Sequence, residues 1–280
     1  PILSLSVYHW MDKIMLGTMV DMSSVSYYNY AESIINLPKG IVQALGTVLM
    51  PQIAFMVTQK RFGECKRLFT SSVELVCFIC CALCFGIMGV AEVFVPLFLG
   101  PDYTPTILLT MELAVVMVPM TISDAIQTQY LIPLGRDRIY IFSTIYGAIA
   151  NVVLNAVLIP FFGASGAVIG TFGAELVVCG YQMLRIRREY ASGTLLRTLA
   201  PFFLFGMAEA FTAWLLGKLP WNVYLVLLTQ VAVAGCLYLL LSFGYFAWMR
   251  RHHPDYTTPL ERLQKGATDQ RQMDEGGEAM

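Results

Sequence analysis

Apart from Lys13, Lys39 and Lys218, every lysine and arginine of this chain falls in alternate gaps between eight long apolar segments or in the tail. The segments run from about Ile2 to Val20, Ala31 to Met56, Leu68 to Val95, Thr104 to Leu134, Ile139 to Ile159, Ala164 to Leu184, Thr198 to Gly217 and Trp221 to Met249. Each has about 20 residues or more, enough for a helix to cross a hydrocarbon core roughly 30 Å thick. The basic residues cluster at Lys60, Arg61, Lys66 and Arg67, at Arg136 and Arg138, at Arg185, Arg187, Arg188 and Arg197, and from Arg250 onward. The positive-inside bias puts these gaps and the tail in the cytoplasm, so Pro1 starts on that side and the first segment runs outward.

Composition restricts the function classes. Charged residues make up 13% of the chain, against roughly a quarter in soluble proteins, and hydrophobic residues 57%. A net charge of -1 argues against a polyanion such as nucleic acid as the partner. With Pro1 first and no basic leader ahead of an apolar run, the chain is expected to be the C-terminal part of something longer. Cys77, Cys80, Cys81 and Cys84 share one helical face inside VCFICCALCFGIM, which has no histidine or polar companion. They read as packing residues and not as metal ligands. Cys65 falls in a basic gap and is expected to be a reduced loop cysteine.

Polar residues inside the spans recur at helical spacing. Glu32, Asn36, Lys39, Gln43 and Thr47 form one stripe along the second segment. A cation in mid-span costs about 2.5 to 3.5 kcal/mol on insertion scales, so Lys39 is expected to face protein or water. Ser6, His9, Asp12 and Lys13 repeat the pattern in the first segment, and Asp12 and Lys13 lie close enough around the helix to border one cavity. Thr121, Asp124, Gln127 and Thr128 add a face in the fourth segment, and Thr144, Gly147, Asn151 and Asn155 one in the fifth. Asn151 and Asn155 are more simply read as hydrogen-bonding between helices. Lys39, Lys13, Asn36, Gln43, Glu32 and Asp124 are the candidate substrate-binding residues, and His9 and Asp12 the candidates for proton or sodium coupling. No nucleophile with a base, metal-ligand set or phosphate-binding glycine loop is present, so the chain reads as a transporter half and not an enzyme.

Four stretches carry a family resemblance. MDKIMLG at Met11 to Gly17 and LPKGIVQALGTVLMPQIA at Leu37 to Ala54 resemble the seventh and eighth helices of Wzx-type polysaccharide flippases. QYLIPLGRDRIY at Gln129 to Tyr140 and NVVLNAVLIPFFGASGAVIGT at Asn151 to Thr171 resemble later parts of the same multidrug/oligosaccharidyl-lipid/polysaccharide exporter superfamily. The resemblance implies an all-α bundle of eight transmembrane helices in a bacterial cytoplasmic membrane. Residues 1–188 would form the six-helix C-terminal lobe, 189–249 two additional helices, and 250–280 a polar, disordered cytoplasmic tail. It further implies partnership with a missing N-terminal lobe, and a substrate of undecaprenyl-diphosphate-linked oligosaccharide moved to the outer leaflet, its diphosphate held by Lys39 and Lys13. A multidrug/cation antiporter of the same superfamily and a lipid II flippase are the alternatives; an antiporter would favour an acidic and aromatic cavity.

The charge pattern makes a direct prediction about topology. In a background without the native cysteines, single cysteines at positions 136, 187 and 251 should resist a membrane-impermeant thiol reagent added outside, whereas those at 103 and 163 should react. Strong external labelling at 187 together with none at 103 would reverse the orientation.

Overall fold

In an apolar medium a single segment can satisfy all its backbone hydrogen bonds only as a helix, and the described residues are helical nearly throughout. The structure is a computed structural model describing residues 2–190, 192–252, 258, 259 and 261, with side chains from Trp10 onward, Ser192 aside. Helix α1 is Ile2–Met19, α2 Met22–Thr58, α3 Phe62–Leu99, α4 Thr104–Ile126, α5 Asp137–Ile186, α6 Ser192–Leu216, α7 Val223–Thr229 and α8 Gly235–His252. Single π-helical turns at Gln127–Leu131 and Gln230–Ala234 extend α4 and join α7 to α8. The expected disordered tail lies almost wholly outside the described residues.

The expectation of eight separate spans needs correction: among the described residues six helices are long and apolar enough to cross a membrane. The segments expected at Ile139 to Ile159 and Ala164 to Leu184 belong to one element, α5, broken only at Gly163, where φ is 56° and ψ -130°. In α1, Ser4, Ser6, His9, Asp12 and Lys13 dilute the apolar character. Glycine reaches a positive φ without the Cβ clash that other residues suffer, so Gly163 can fold α5 back on itself. A Cβ at Gly166 would sit 2.4 Å from the Leu158 carbonyl oxygen, and one at Gly147 2.4 Å from Val178 Cγ2. The arms 137–162 and 164–186 are therefore antiparallel and in contact, using the small-residue surface of the second arm.

Helix α3 lies at the centre, with α2 and α4 on one side and α6 on the other. Cys77, Cys80, Cys81 and Cys84 fill its buried face, and Thr121 of α4 donates to Cys80 Sγ at 3.0 Å. Cys65 is not in a loop. A tight turn at Lys60 (φ 58°) starts α3 at Phe62, and Cys65 is buried in its first turns. The other links are equally short. Asp21 caps α2, its Oδ1 accepting from Ser24 N at 2.6 Å, and this hydrogen bond holds its carboxyl below the usual carboxylate value. After α5, Glu189 receives Arg136 Nη2 at 2.8 Å and the Tyr130 hydroxyl. Partial burial pushes the Glu189 carboxyl up, but the hydrogen bonds from Arg136 and Tyr130 win and hold it below its ordinary value.

The outward surface is apolar: Leu37, Phe161 and Leu240 are each more than two-thirds exposed. In water such a surface would aggregate, whereas lipid solvates it.

Close approach of α3 and α6 rests on missing side chains. A Cβ at Gly89 would lie 2.5 Å from Ala213 Cβ and 3.0 Å from the Ala210 carbonyl oxygen. Gly89→Leu should therefore destabilise by about 1–3 kcal/mol and lower the thermal unfolding midpoint of the detergent-purified protein. Gly180→Ala, where a Cβ meets nothing within 4 Å, should leave it unchanged or raise it.

Candidate functional site

Asp12 is 6% exposed and accepts four hydrogen bonds. Its Oδ2 takes the Tyr28 hydroxyl of α2 at 2.9 Å and the Thr171 hydroxyl of the second α5 arm at 2.7 Å. Its Oδ1 takes Nδ2 of Asn151 at 2.9 Å and Nδ2 of Asn155 at 2.6 Å, both from the first α5 arm. Helical spacing puts the two asparagines on one face, and Asn155 also donates to Asn151 Oδ1 at 3.2 Å. The other arm comes close enough because residue 170 is glycine, where a Cβ would fall 2.0 Å from Asn155 Oδ1. That Oδ1 is itself buried without a hydrogen-bond partner. Among the described residues no cation pairs with Asp12, so dipoles alone offset its charge.

Beside this cluster is a cavity of about 270 Å³ between α1, α2, α4 and the second arm of α5. One wall is polar, with Asp12 and Lys13 from α1, Glu32, Asn36 and Lys39 from α2, and Thr171. The opposite wall is apolar, with Leu113, Val116, Met117 and Met120 of α4. Lys13 is neutralised locally: its Nζ lies 2.7 Å from Glu32 Oε2 and donates to Asn29 Oδ1 at 2.8 Å. Lys39, only 9% exposed, has neither an ion pair nor a hydrogen bond to any described residue. The cavity thus presents one uncompensated cation next to a buried anion held by neutral donors.

The candidates from the sequence divide accordingly. Asp12, Lys13, Glu32, Asn36 and Lys39 line one cavity. Gln43 and Asp124 do not reach it; they bond to each other, Gln43 Nε2 to Asp124 Oδ2 at 2.7 Å, and tie α2 to α4 further along the stripe. The His9 side chain lies outside the described residues. Tyr28 and Thr171 were not singled out. One of three clustered tyrosines near a helix start and a threonine in a glycine-rich run give no signal until the fold brings them to Asp12. Asn151 and Asn155 do hydrogen-bond between helices, and the partner they share is the Asp12 carboxylate.

Comparison with known proteins gives a consistent set of relatives. The family model described as Lipid II flippase MurJ matches residues 4–240. The lipid II flippase MurJ of Bacillus subtilis is 22% identical over 232 residues, covering 76% of this chain and 42% of that protein. The probable low-salt glycan biosynthesis flippase Agl15 of Haloferax volcanii is 22% identical over 168 residues, covering 59% of this chain and 34% of its own. A solved structure of a lipid II flippase MurJ in an inward closed conformation shares the fold, with a TM-score of 0.67 at 15% identity over 87% of this chain and 52% of that one. The chain therefore spans about a third to a half of the length of these relatives. The matches support a flippase family without singling out the Wzx type that the motifs resemble.

The cluster predicts a graded response to removal of its donors. Hydrogen bonds to a charged group contribute about 1.5–3 kcal/mol each, so Thr171→Val and Asn155→Leu should each lower the thermal midpoint of the full-length protein. Asp12→Leu, which removes the acceptor that all four donors share, should lower it further. A Thr171→Val protein as stable as wild type would show that the cluster does not hold α1 against α5.

Proposed function

This chain belongs to the lipid II flippase MurJ family, and from that premise we propose that it forms one lobe of a transporter moving a diphosphate-linked lipid glycan from the cytoplasmic to the outer leaflet. The observation that carries this reading is the uncompensated Lys39 in a cavity with one apolar wall. A lysine ammonium is a compact point charge suited to phosphate. The α4 side chains facing it exclude water and so strengthen its field. Asn36, one turn away, offers an amide to sugar hydroxyls. Lys13, already held by Glu32, contributes to the diphosphate site only by keeping that carboxylate from repelling it.

Asp12 is the coupling residue in this proposal. Turning the Asn151 and Asn155 amides over would place their carbonyl oxygens beside Asp12 and Thr171, an all-oxygen set of the kind that suits a hard cation such as sodium. Protonation of Asp12 is the alternative way to discharge it. A substrate diphosphate leaving a cell with a negative interior gains about 2.3 kcal/mol per charge per 100 mV, so an ion at Asp12 would serve to reset the transporter. A second, N-terminal lobe completes the pathway in this reading.

The family description and the Bacillus subtilis relative support lipid II as the glycan, whereas the Agl15 relative and the Wzx-like motifs support another lipid-linked glycan such as a polysaccharide repeat unit. Rescue of cells depleted of their lipid II flippase, set beside rescue of a mutant lacking its polysaccharide flippase, separates the two.

Three outcomes test the residue roles in the full-length protein. Lys39→Ala should abolish flipping at normal membrane levels while Lys39→Arg keeps part of it, since charge matters more than shape here; normal flipping by Lys39→Ala would remove the cationic site. Lys13→Ala should be impaired by the carboxylate it frees, and adding Glu32→Gln should restore activity. Asp12→Asn should make the flipping rate insensitive to sodium at fixed potential; a wild-type sodium response would leave Asp12 a structural residue.

A further inference from the structure

Glu209 lies in α6 well away from the cavity, 5% exposed in the seam between α6 and α3. The facing residue on α3 is Gly86, where a Cβ would lie 3.2 Å from Glu209 Oε1. On either side the seam is closed by Gly206 against Phe85 and by Ala213 against Gly89. Among the described residues Glu209 has no hydrogen bond or ion pair, and its Oε2 is sealed from solvent. The titratable groups facing it are the Cys81 and Cys84 thiols of α3 and the Tyr238 phenol of α8. All three are neutral near pH 7. Further along α6, the Ala213 carbonyl accepts from Nε2 of Gln230, in the π-helical turn between α7 and α8, at 2.9 Å.

An acid in such a place serves neither packing nor pairing. A leucine would fill the volume without the desolvation cost, and no cation is at hand to make an ion pair favourable. What a carboxyl alone adds is the ability to hold and release a proton. An ionised carboxylate without counter-charge is far costlier there than the neutral acid, so ionisation requires water to reach it. The route for water is separation of α6 from α3, the same seam that joins the α6–α8 unit to the rest of the bundle.

We propose that Glu209 is a proton-binding site, occupied while α6 is seated on α3 and emptied when the seam opens to water, so that movement of the α6–α8 unit is tied to proton uptake and release. The site is separate from the Asp12 cluster, and only the second readout below rests on the transport reading. In the full-length protein in liposomes, the apolar reagent dicyclohexylcarbodiimide should modify Glu209, as read by peptide mass spectrometry, whereas a water-soluble carbodiimide should not. Labelling should fall as pH rises, because the reagent reacts with the protonated carboxyl. Equal labelling by the two reagents, or labelling indifferent to pH, overturns the proposal without reference to transport. Glu209→Gln, which mimics the protonated acid and cannot exchange its proton, should flatten the pH profile of flipping while membrane levels and the Asp12-dependent sodium response persist. A wild-type pH profile in that variant overturns the coupling, and if the variant does not accumulate, the labelling of the wild-type protein decides.

Discussion

The cost of burying one carboxylate organises the functional half of this bundle. Asp12 is removed from water without a cation partner among the described residues, and it is held by donors from α2 and from both arms of α5. No single helix could supply that set. If α1 moved away, the carboxylate would lose four donors at once, so α1 stays where the carboxylate is satisfied. Lys13, the next residue, is thereby fixed at the cavity rim, where Glu32 meets it from α2.

Charge in the cavity is then a matter of which residues are already paired. Lys13 and Glu32 cancel, Gln43 and Asp124 bond to each other away from the cavity, and Lys39 is left over. A lysine so enclosed is stable only where water, an anion or a neighbouring polar wall compensates it. In the proposed reading the same enclosure is what makes it effective towards an anionic ligand. The apolar face of α4 completes the site by supplying low polarity instead of further contacts.

Absent side chains fix the distances between helices. Gly163 turns α5 back on itself, Gly170 admits Asn155 beside the second arm, and Gly86, Gly89 and Gly206 let α6 lie against α3. In lipid there is little hydrophobic drive between helices, so backbone approach through small residues does much of the packing. The glycine face of the second α5 arm could be seen as spacing in the sequence. That Gly86 would face an acid and not another small residue could not.

The sequence by itself determined the helical architecture, the apolar exterior and the inward direction of Asp12, Lys13, Glu32, Asn36 and Lys39. These follow from local rules: backbone hydrogen bonds must close within each segment, and a charge in lipid is costly whatever its neighbours. Only the tertiary structure decided who pairs with whom. Asp12 meets Asn151, Asn155 and Thr171 across separations of 139, 143 and 159 residues. Lys13 is claimed by Glu32 and not by the adjacent Asp12. Two spans expected as separate helices are arms of one element because a single glycine takes a positive φ. A stripe of polar residues states that a helix has partners, but hydrogen bonds reach only about 3 Å, so the partners' identity waits until packing has set every helix in place.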